Sequence, residues 1–250
     1  MKHAAIVTGD ESPEDGPLGR ALRARGFEAV VCPLVRAFPP HDDGPLREAV
    51  ARVGEFDWVA FTSARAVAAV AELCGGSLAG LGARVACVGN ATARAVEERG
   101  GTVVVLPVDV GGAGLARAMA GAADLRGRRV LYPRAESARP DLAEGLRGAG
   151  AEVVDPVAYR MEPVRDHGEL AQALEAWPDA AVLLCSASAA EALAGSDVVA
   201  RMAGRVIGSM GPTTSRAARA VGLEVSFEPE ERSFAGLVEA LEEVATDGHG

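Results

Sequence analysis

Apolar residues in this chain fall in short runs with little polar alternation, at about 4–8, 28–32, 57–61, 84–88, 102–106, 129–132, 152–157, 180–184, 205–208 and 224–227. Runs of this length, rich in Val, Ile and Ala, predict strands buried on both faces. The segments between them place residues at helical spacing, such as Leu18, Leu22 and Arg25, or Leu115, Ala118 and Met119. Strands alternating with helices in this way build parallel sheets covered on both sides. Gly26, Gly100, Gly150 and Gly222 each stand just before a strand, the place where a helix closes through a positive φ.

The pattern repeats. Asp57-Trp-Val-Ala-Phe-Thr-Ser-Ala-Arg returns as Asp179-Ala-Ala-Val-Leu-Leu-Cys-Ser-Ala-Ser, and Val85-Ala-Cys-Val-Gly-Asn-Ala-Thr-Ala-Arg-Ala as Ile207-Gly-Ser-Met-Gly-Pro-Thr-Thr-Ser-Arg-Ala. The segment from Arg25 to Arg36 likewise returns from Ala149 to Arg160. An offset near 122–124 residues is too long for a solenoid unit and suits a small α/β domain. The expected fold is therefore α/β, with two similar, doubly wound parallel-sheet domains and a ligand cleft between them. The proline-bounded segments Pro33–Pro40 and Pro156–Pro163 lie at equivalent points of the two copies and read as extended connectors outside the sheets. Spacing alone permits two layouts: tandem halves split near Gly121–Gly127, or residues of about 38–157 inserted into a domain made from both chain ends. The tail from Thr246 is expected to be disordered.

Composition removes several classes of function. Net charge is −10 over 250 residues, which argues against nucleic acid or an anionic membrane as partner. No apolar run nears the ~20 residues of a membrane helix. The chain enters its first strand without a signal-peptide core, so the expected location is the cytoplasm. Cys32, Cys74, Cys87 and Cys185 lack paired spacing and read as buried free thiols. The four histidines show no ligand spacing, so neither metal nor cofactor is expected. Gly111-Gly112-Ala113-Gly114 has no accompanying nucleotide-binding signature. The acidic run Asp10–Asp15 reads as a solvated loop rather than a Mg²⁺ site.

Candidate chemistry gathers at five turns expected to join strands to helices: Phe61–Arg65, Val88–Thr92, Tyr132–Ser137, Leu184–Ser188 and Gly211–Ser215. In a parallel sheet such turns share the carboxyl edge, and each offers the open amides and positive end of a helix to an anion. Each hydroxyl also has a plain alternative role, capping its own helix. Arg126, Arg128, Arg129, Arg134 and Arg139 with the single acid Glu136 make a local +4. Arg134 and Arg139 flank a turn and are the arginines expected to meet a ligand.

Phe61-Thr62-Ser63 followed by Arg65-Ala66-Val67, Val88-Gly89-x-x-Thr92-Ala93, Val157-Ala158-Tyr159-Arg160, Gly211-Pro212-Thr213-Thr214 and Ser233-Phe234-Ala235-Gly236-Leu237 stand in the same order and spacing as in uroporphyrinogen-III synthases. The chain resembles that family over nearly its whole length. The resemblance implies a discontinuous domain of residues 1–37 plus 162–250, an inserted domain of 38–161, a two-stranded connector of adjacent extended segments at about 33–40 and 156–163, and a flavodoxin-like fold for each domain. It implies a cofactor-free lyase that closes the linear tetrapyrrole hydroxymethylbilane, a polycarboxylate, with inversion of ring D. Tyr159 would face the cleft as the catalytic residue. Thr62, Ser63, Arg65, Thr92, Arg134, Arg139, Ser186, Ala187, Ser188, Gly211, Thr213 and Thr214 are the expected substrate-binding positions, and a monomer with at most transient contact to the preceding enzyme is the expected state. One departure stands out: Gly9 occupies a place where the family usually carries arginine. The competing expectation is a non-catalytic tetrapyrrole sensor of the same fold.

Overall fold

A computed structural model describes residues 3–11, 16–109 and 111–247. Ser12–Asp15 of the acidic run and Gly248–Gly250 of the tail lie outside the described residues. Strand β1 (Ala4–Val7) leads through helix α1 (Pro17–Ala24) to β2 (Glu28–Val31), and the chain leaves along β3 (Val35–Phe38). There follow α2 (Gly44–Ala51), β4 (Trp58–Phe61), α3 (Ala64–Leu73), β5 (Arg84–Cys87), α4 (Asn90–Glu97), β6 (Val103–Val105), α5 (Gly112–Ala122), β7 (Arg129–Leu131), β8 (Arg134–Ala135), α6 (Asp141–Gly148) and β9 (Glu152–Val154). The chain returns along β10 (Val157–Pro163) to α7 (Gly168–Ala176), β11 (Ala181–Leu184), α8 (Ala187–Glu191), α9 (Val198–Arg201), β12 (Ile207–Ser209), α10 (Pro212–Ala220) and α11 (Phe234–Asp247).

Two compact units result, one of residues 1–36 and 162–250, the other of residues 37–161. The first holds a parallel sheet in the order β12-β11-β1-β2, extended beyond β12 by a parallel bridge from Gly208 to Phe227. The second holds a parallel sheet in the order β6-β5-β4-β7-β9. Read through the sequence repeat, the two orders coincide: β4 and β5 are the counterparts of β11 and β12, β9 of β2, and β7 of β1. Five strand types thus run along the chain twice in one order, yet each sheet takes its first two types from one copy and its last three from the other. Spacing left two layouts open because pairing across copies leaves the linear repeat unchanged.

Several expectations need correction. The connector segments form the adjacent strands β3 and β10, and β8, which was not expected, adds a third strand to them in a separate sheet. The strand expected at 224–227 is reduced to the bridge at Phe227. Tyr132–Ser137 does not open a helix. Proline at 133 and pairing of Arg134–Ala135 with β10 insert β8, and α6 begins only at Asp141. Thr246 and Asp247 complete α11 rather than fraying, with the Thr246 hydroxyl donating to the Glu242 and Glu243 carbonyls. The four helix-closing glycines do have positive φ, between 78° and 91°.

In the second unit strand alternation divides the core. Val59, Phe61, Val85, Cys87 and Leu131 face α3 and α4 through Val67, Val70 and Val96. Trp58, Ala60, Ala86, Val130 and Tyr132 face α5 and α6 through Leu115, Met119 and Leu146. In the first unit Ala5, Val7 and Leu183 pack on Leu18, Leu22, Leu237 and Val238. Each large side chain so buried stabilises the fold by about 1.5–3 kcal/mol. These cores hold the carboxyl ends of the strands in fixed register, and the candidate residues hang from those ends.

Candidate active site

Strand order locates a topological switch point in each sheet, where successive connections turn in opposite directions and ligand crevices form. In the second unit it lies between β4 and β7. The residues that follow these strands are Thr62 and Tyr132, and the Thr62 side chain is near enough to Tyr132 to bear on its phenol. Tyr132 is only 3% exposed. Burial raises its phenol above the ordinary value, while Thr62 and the nearby Arg134 guanidinium act in the opposite direction. Tyr159 is close enough to raise it further. Tyr159 itself is half-buried and packs on the apolar cluster that contains Val59 and Phe61. The chain's two tyrosines thus lie near one another in this unit. Sequence reasoning singled out Tyr159 and missed Tyr132; the available signal was a lone tyrosine ending the strand next to β4.

Helix starts sort the hydroxyl-rich turns into two kinds. Ser63 and Ser186 are extended N-cap residues, and their hydroxyls accept from Ala66 and Ala189 N–H at 3.1 Å. Both serines therefore have a capping role in their own helices. Ser186 caps a helix of five residues, whose dipole is small; Ala187 and Ser188 lie within its first turn. The starts of α4 and α10 differ. Their N-caps, Gly89 and Gly211, have no side chain and make no side-chain cap bond, so the first-turn amides keep no such acceptor and remain suited to an anion. Thr92 and Thr214 are buried at 5% and 6% exposure, whereas Thr213 is exposed. Gly211 has φ 155°, a conformation that excludes a β-carbon.

A protein carboxylate shows what such a helix start accepts. At α1, Glu11 receives the Leu18 and Gly19 N–H groups at 3.2 and 2.7 Å. Glu11 of the acidic run is thus bound to backbone amides, not simply solvated. At the first unit's switch point Thr8 donates to the Leu183 carbonyl at 2.9 Å and accepts from the Cys185 N–H. A β-carbon at Gly9 would stand 3.2 Å from the Cys185 sulfur, which accounts locally for a glycine there. Burial pushes the Cys185 thiol up to about 11, so it is a poor nucleophile near neutrality. Cys32 and Cys87 are buried as expected, whereas Cys74 and Cys185 are half-buried.

Most of the arginine island is paired with acids, some of them distant in sequence. Arg126 meets Asp124, Arg128 meets Asp57, and Arg129 meets Glu55 and lies over the Phe56 ring. Arg134 Nε binds the Asp155 carbonyl and carboxylate, and its Nη1 the carbonyls of Ala135 and Glu136. Its geometry braces β8 and β10, and the local +4 seen in sequence is largely neutralised. Arg139 is exposed and Arg65 half-buried. Arg232, which the sequence did not single out, lays its Cδ and Nε 3.5 Å from the β-carbon position of Gly211, bringing a cation to a glycine-capped turn.

A family model described as uroporphyrinogen-III synthase HemD matches residues 17–239. The chain belongs to the uroporphyrinogen-III synthase family. The uroporphyrinogen-III synthase of Synechococcus elongatus is 29% identical over 254 residues, covering 96% of this chain and 95% of that protein. The chloroplastic uroporphyrinogen-III synthase of Oryza sativa subsp. japonica is 30% identical over 257 residues, covering 98% and 82%. Among solved structures, uroporphyrinogen-III synthetase from Helicobacter pylori matches with TM-score 0.60 at 17% identity, covering 98% of this chain and 99% of that one. That likeness extends the α/β fold with parallel sheets to a uroporphyrinogen-III synthase of low identity. No described helix is long and apolar enough to cross a membrane.

Proposed function

We propose that this chain closes hydroxymethylbilane to uroporphyrinogen III, with loss of water and inversion of ring D. The observation that carries the reading is the pair of glycine-capped helix starts at Gly89 and Gly211, whose N-caps supply no side chain to the first-turn amides, in a chain of this family. A substrate with many carboxylates requires several such anion sites, and Glu11 on α1 is an internal example of the contact. Binding positions in this reading are Thr62, Ser63, Arg65, Thr92, Arg139, Ser186, Ala187, Ser188, Gly211, Thr213 and Thr214, with Arg134 bracing the neighbouring strands. The domains are flavodoxin-like, of residues 1–37 plus 162–250 and 38–161, and the protein works as a cytoplasmic monomer, meeting the preceding enzyme only transiently.

The chemistry asks for little acid–base power. The terminal hydroxyl leaves with the push of its own pyrrole nitrogen, and the resulting electrophile closes unaided to the unrotated isomer. Directing attack onto the substituted carbon of ring D, through a spiro intermediate, is a matter of conformation. Holding the reacting carbons together supplies up to about 7–11 kcal/mol in well-oriented cases. Tyr159 hydrogen-bonds the departing hydroxyl, a step of about 10²–10⁴-fold.

The test is to supply hydroxymethylbilane and resolve the type III and type I products. Type III formation well above the spontaneous rate supports the reading. Type I alone would leave a non-catalytic tetrapyrrole binder.

A further inference from the structure

The start of α10 is held by a polar chain that the α4 start lacks. Ser209 ends β12 and Ser215 lies in the first turn of α10; both are fully buried, with their hydroxyl oxygens 2.5 Å apart. The Ser215 hydroxyl donates to Glu228 Oε1 at 2.6 Å. Because Ser215 has one proton and gives it to the carboxylate, the 2.5 Å contact takes the Ser209 proton, which the Gly211 carbonyl faces only at 3.4 Å. The order of donation is therefore Ser209 to Ser215 to Glu228, running from the end of the sheet to the surface.

The internal repeat supplies a control. At an offset of 122 residues Gly211 and Thr214 match Gly89 and Thr92, while Ser209, Ser215 and Glu228 match Cys87, Ala93 and Leu106. All three members of the polar chain are replaced together. Cys87 and Ala93 are buried, so the equivalent turn closes in the second unit without this hydroxyl chain. Burying hydroxyls carries a desolvation cost that an apolar pair avoids, and the fold does not require it. Glu228 stands in the loop that follows Phe227 and ties it to α10 through Ser215. That loop is pinned by Ser209 N–H to the Phe227 carbonyl and brings Arg232 against Gly211.

We propose that Glu228 is a positioning residue for the substrate-binding turn Gly211–Thr214, acting through Ser215 and Ser209. This rests on the function proposed above. The carboxylate contributes geometry, as an acceptor that orients the first turn of α10 and the Arg232 loop. Its charge opposes an arriving substrate carboxylate. Geometry and charge therefore separate in a glutamine variant, whose Oε1 still accepts from Ser215.

The experiment measures kcat and KM for type III formation by the full-length protein, with thermal midpoints, for wild type, Glu228→Gln, Glu228→Ala, Ser215→Ala and the Glu228→Ala/Ser215→Ala double variant. Glu228→Ala is expected to raise KM about tenfold with kcat within about twofold, the pattern of a lost binding geometry. Glu228→Gln should keep the wild-type KM or lower it. Ser215→Ala should match Glu228→Ala, and the double variant should be no worse than either single, because the members act as one unit. A wild-type KM in Glu228→Ala, a glutamine variant as impaired as the alanine one, or additive effects in the double variant would overturn the proposal. Where Glu228→Ala fails to fold, the Ser215→Ala and Glu228→Gln values decide. A wild-type protein that yields only type I product overturns the functional reading, a result distinct from normal wild-type activity with unresponsive variants.

Discussion

Introducing a serine at Gly89 separates helix capping from substrate binding. Gly89 has φ −173° and ψ 171°, close to the capping serine Ser63 at −156° and 150°. Among the described residues, nothing beyond its own chain neighbours lies within 4 Å of a β-carbon placed there. Gly89→Ser therefore fits without movement, and its hydroxyl reaches the Thr92 N–H as Ser63 reaches Ala66. Because glycine is itself a fair cap, the gain in stability is only a few tenths of a kcal/mol. The loss to a substrate carboxylate is larger: a hydrogen bond to a charged group contributes about 1.5–3 kcal/mol, equal to roughly ten- to a hundredfold in KM at about 1.4 kcal/mol per decade. The expected outcome is a slightly more stable protein that binds hydroxymethylbilane much more weakly, read from type III kinetics beside a thermal melt. Gly89→Ala adds the same β-carbon without the acceptor and separates bulk from capping. A Gly89→Ser protein with raised stability and an unchanged KM would show that the α4 amides do not bind substrate.

Replacing Ser63 with alanine removes a cap and should cost about 1 kcal/mol, lowering the melting midpoint by about 2–4 °C for a chain of this size; a midpoint equal to wild type would contradict the capping role. Tyr159→Phe should lower kcat at unchanged thermal stability. Tyr132→Phe, which removes a buried phenol beside Thr62 and Arg134, should lower the rate, and a wild-type rate in either variant removes that residue from the chemistry. The Asp57 carboxylate is held below its ordinary range first by the Arg129 N–H and then by Arg128. Its contribution to stability is thus present above that range and lost as pH falls through the lowered value. Asp57→Ala should accordingly narrow the gap between melting midpoints at pH 7 and pH 3, and an unaltered gap would refute the linkage.

Strands and helix ends were readable from sequence because both depend on local chemistry. Buried runs such as Val59–Phe61 are apolar throughout, and Gly26, Gly100 and Gly150 stand before strands with the positive φ that a helix end needs. The site was readable only in part. Ser63 and Gly89 both looked like anion-binding turns, since a string of hydroxyls does not show whether an extended serine will turn back onto its own helix. The arginine island misled because its neutralising partners Asp57, Glu55 and Asp155 lie up to 74 residues away and meet it only through strand pairing. Tyr132 and Arg232 were missed for the same reason: each matters through what lies beside it in space. Pairing across the two copies was invisible for a stronger reason, because sequence similarity records common ancestry and is silent about which copy a strand chooses.

That choice has a consequence for synthesis on the ribosome. The central partner of β1 is β11, with Ala5 opposite Ala181, so the first two strands emerge long before their permanent neighbour exists. At about 5–20 residues per second the interval is roughly 8–30 s. Meanwhile the nascent chain presents β4, an ancestral sibling of β11, as a decoy with the right shape. The divergence of the two copies thus acts as a proofreading margin, and mutations that made the siblings more alike would be expected to trap newly made protein rather than to weaken the finished one.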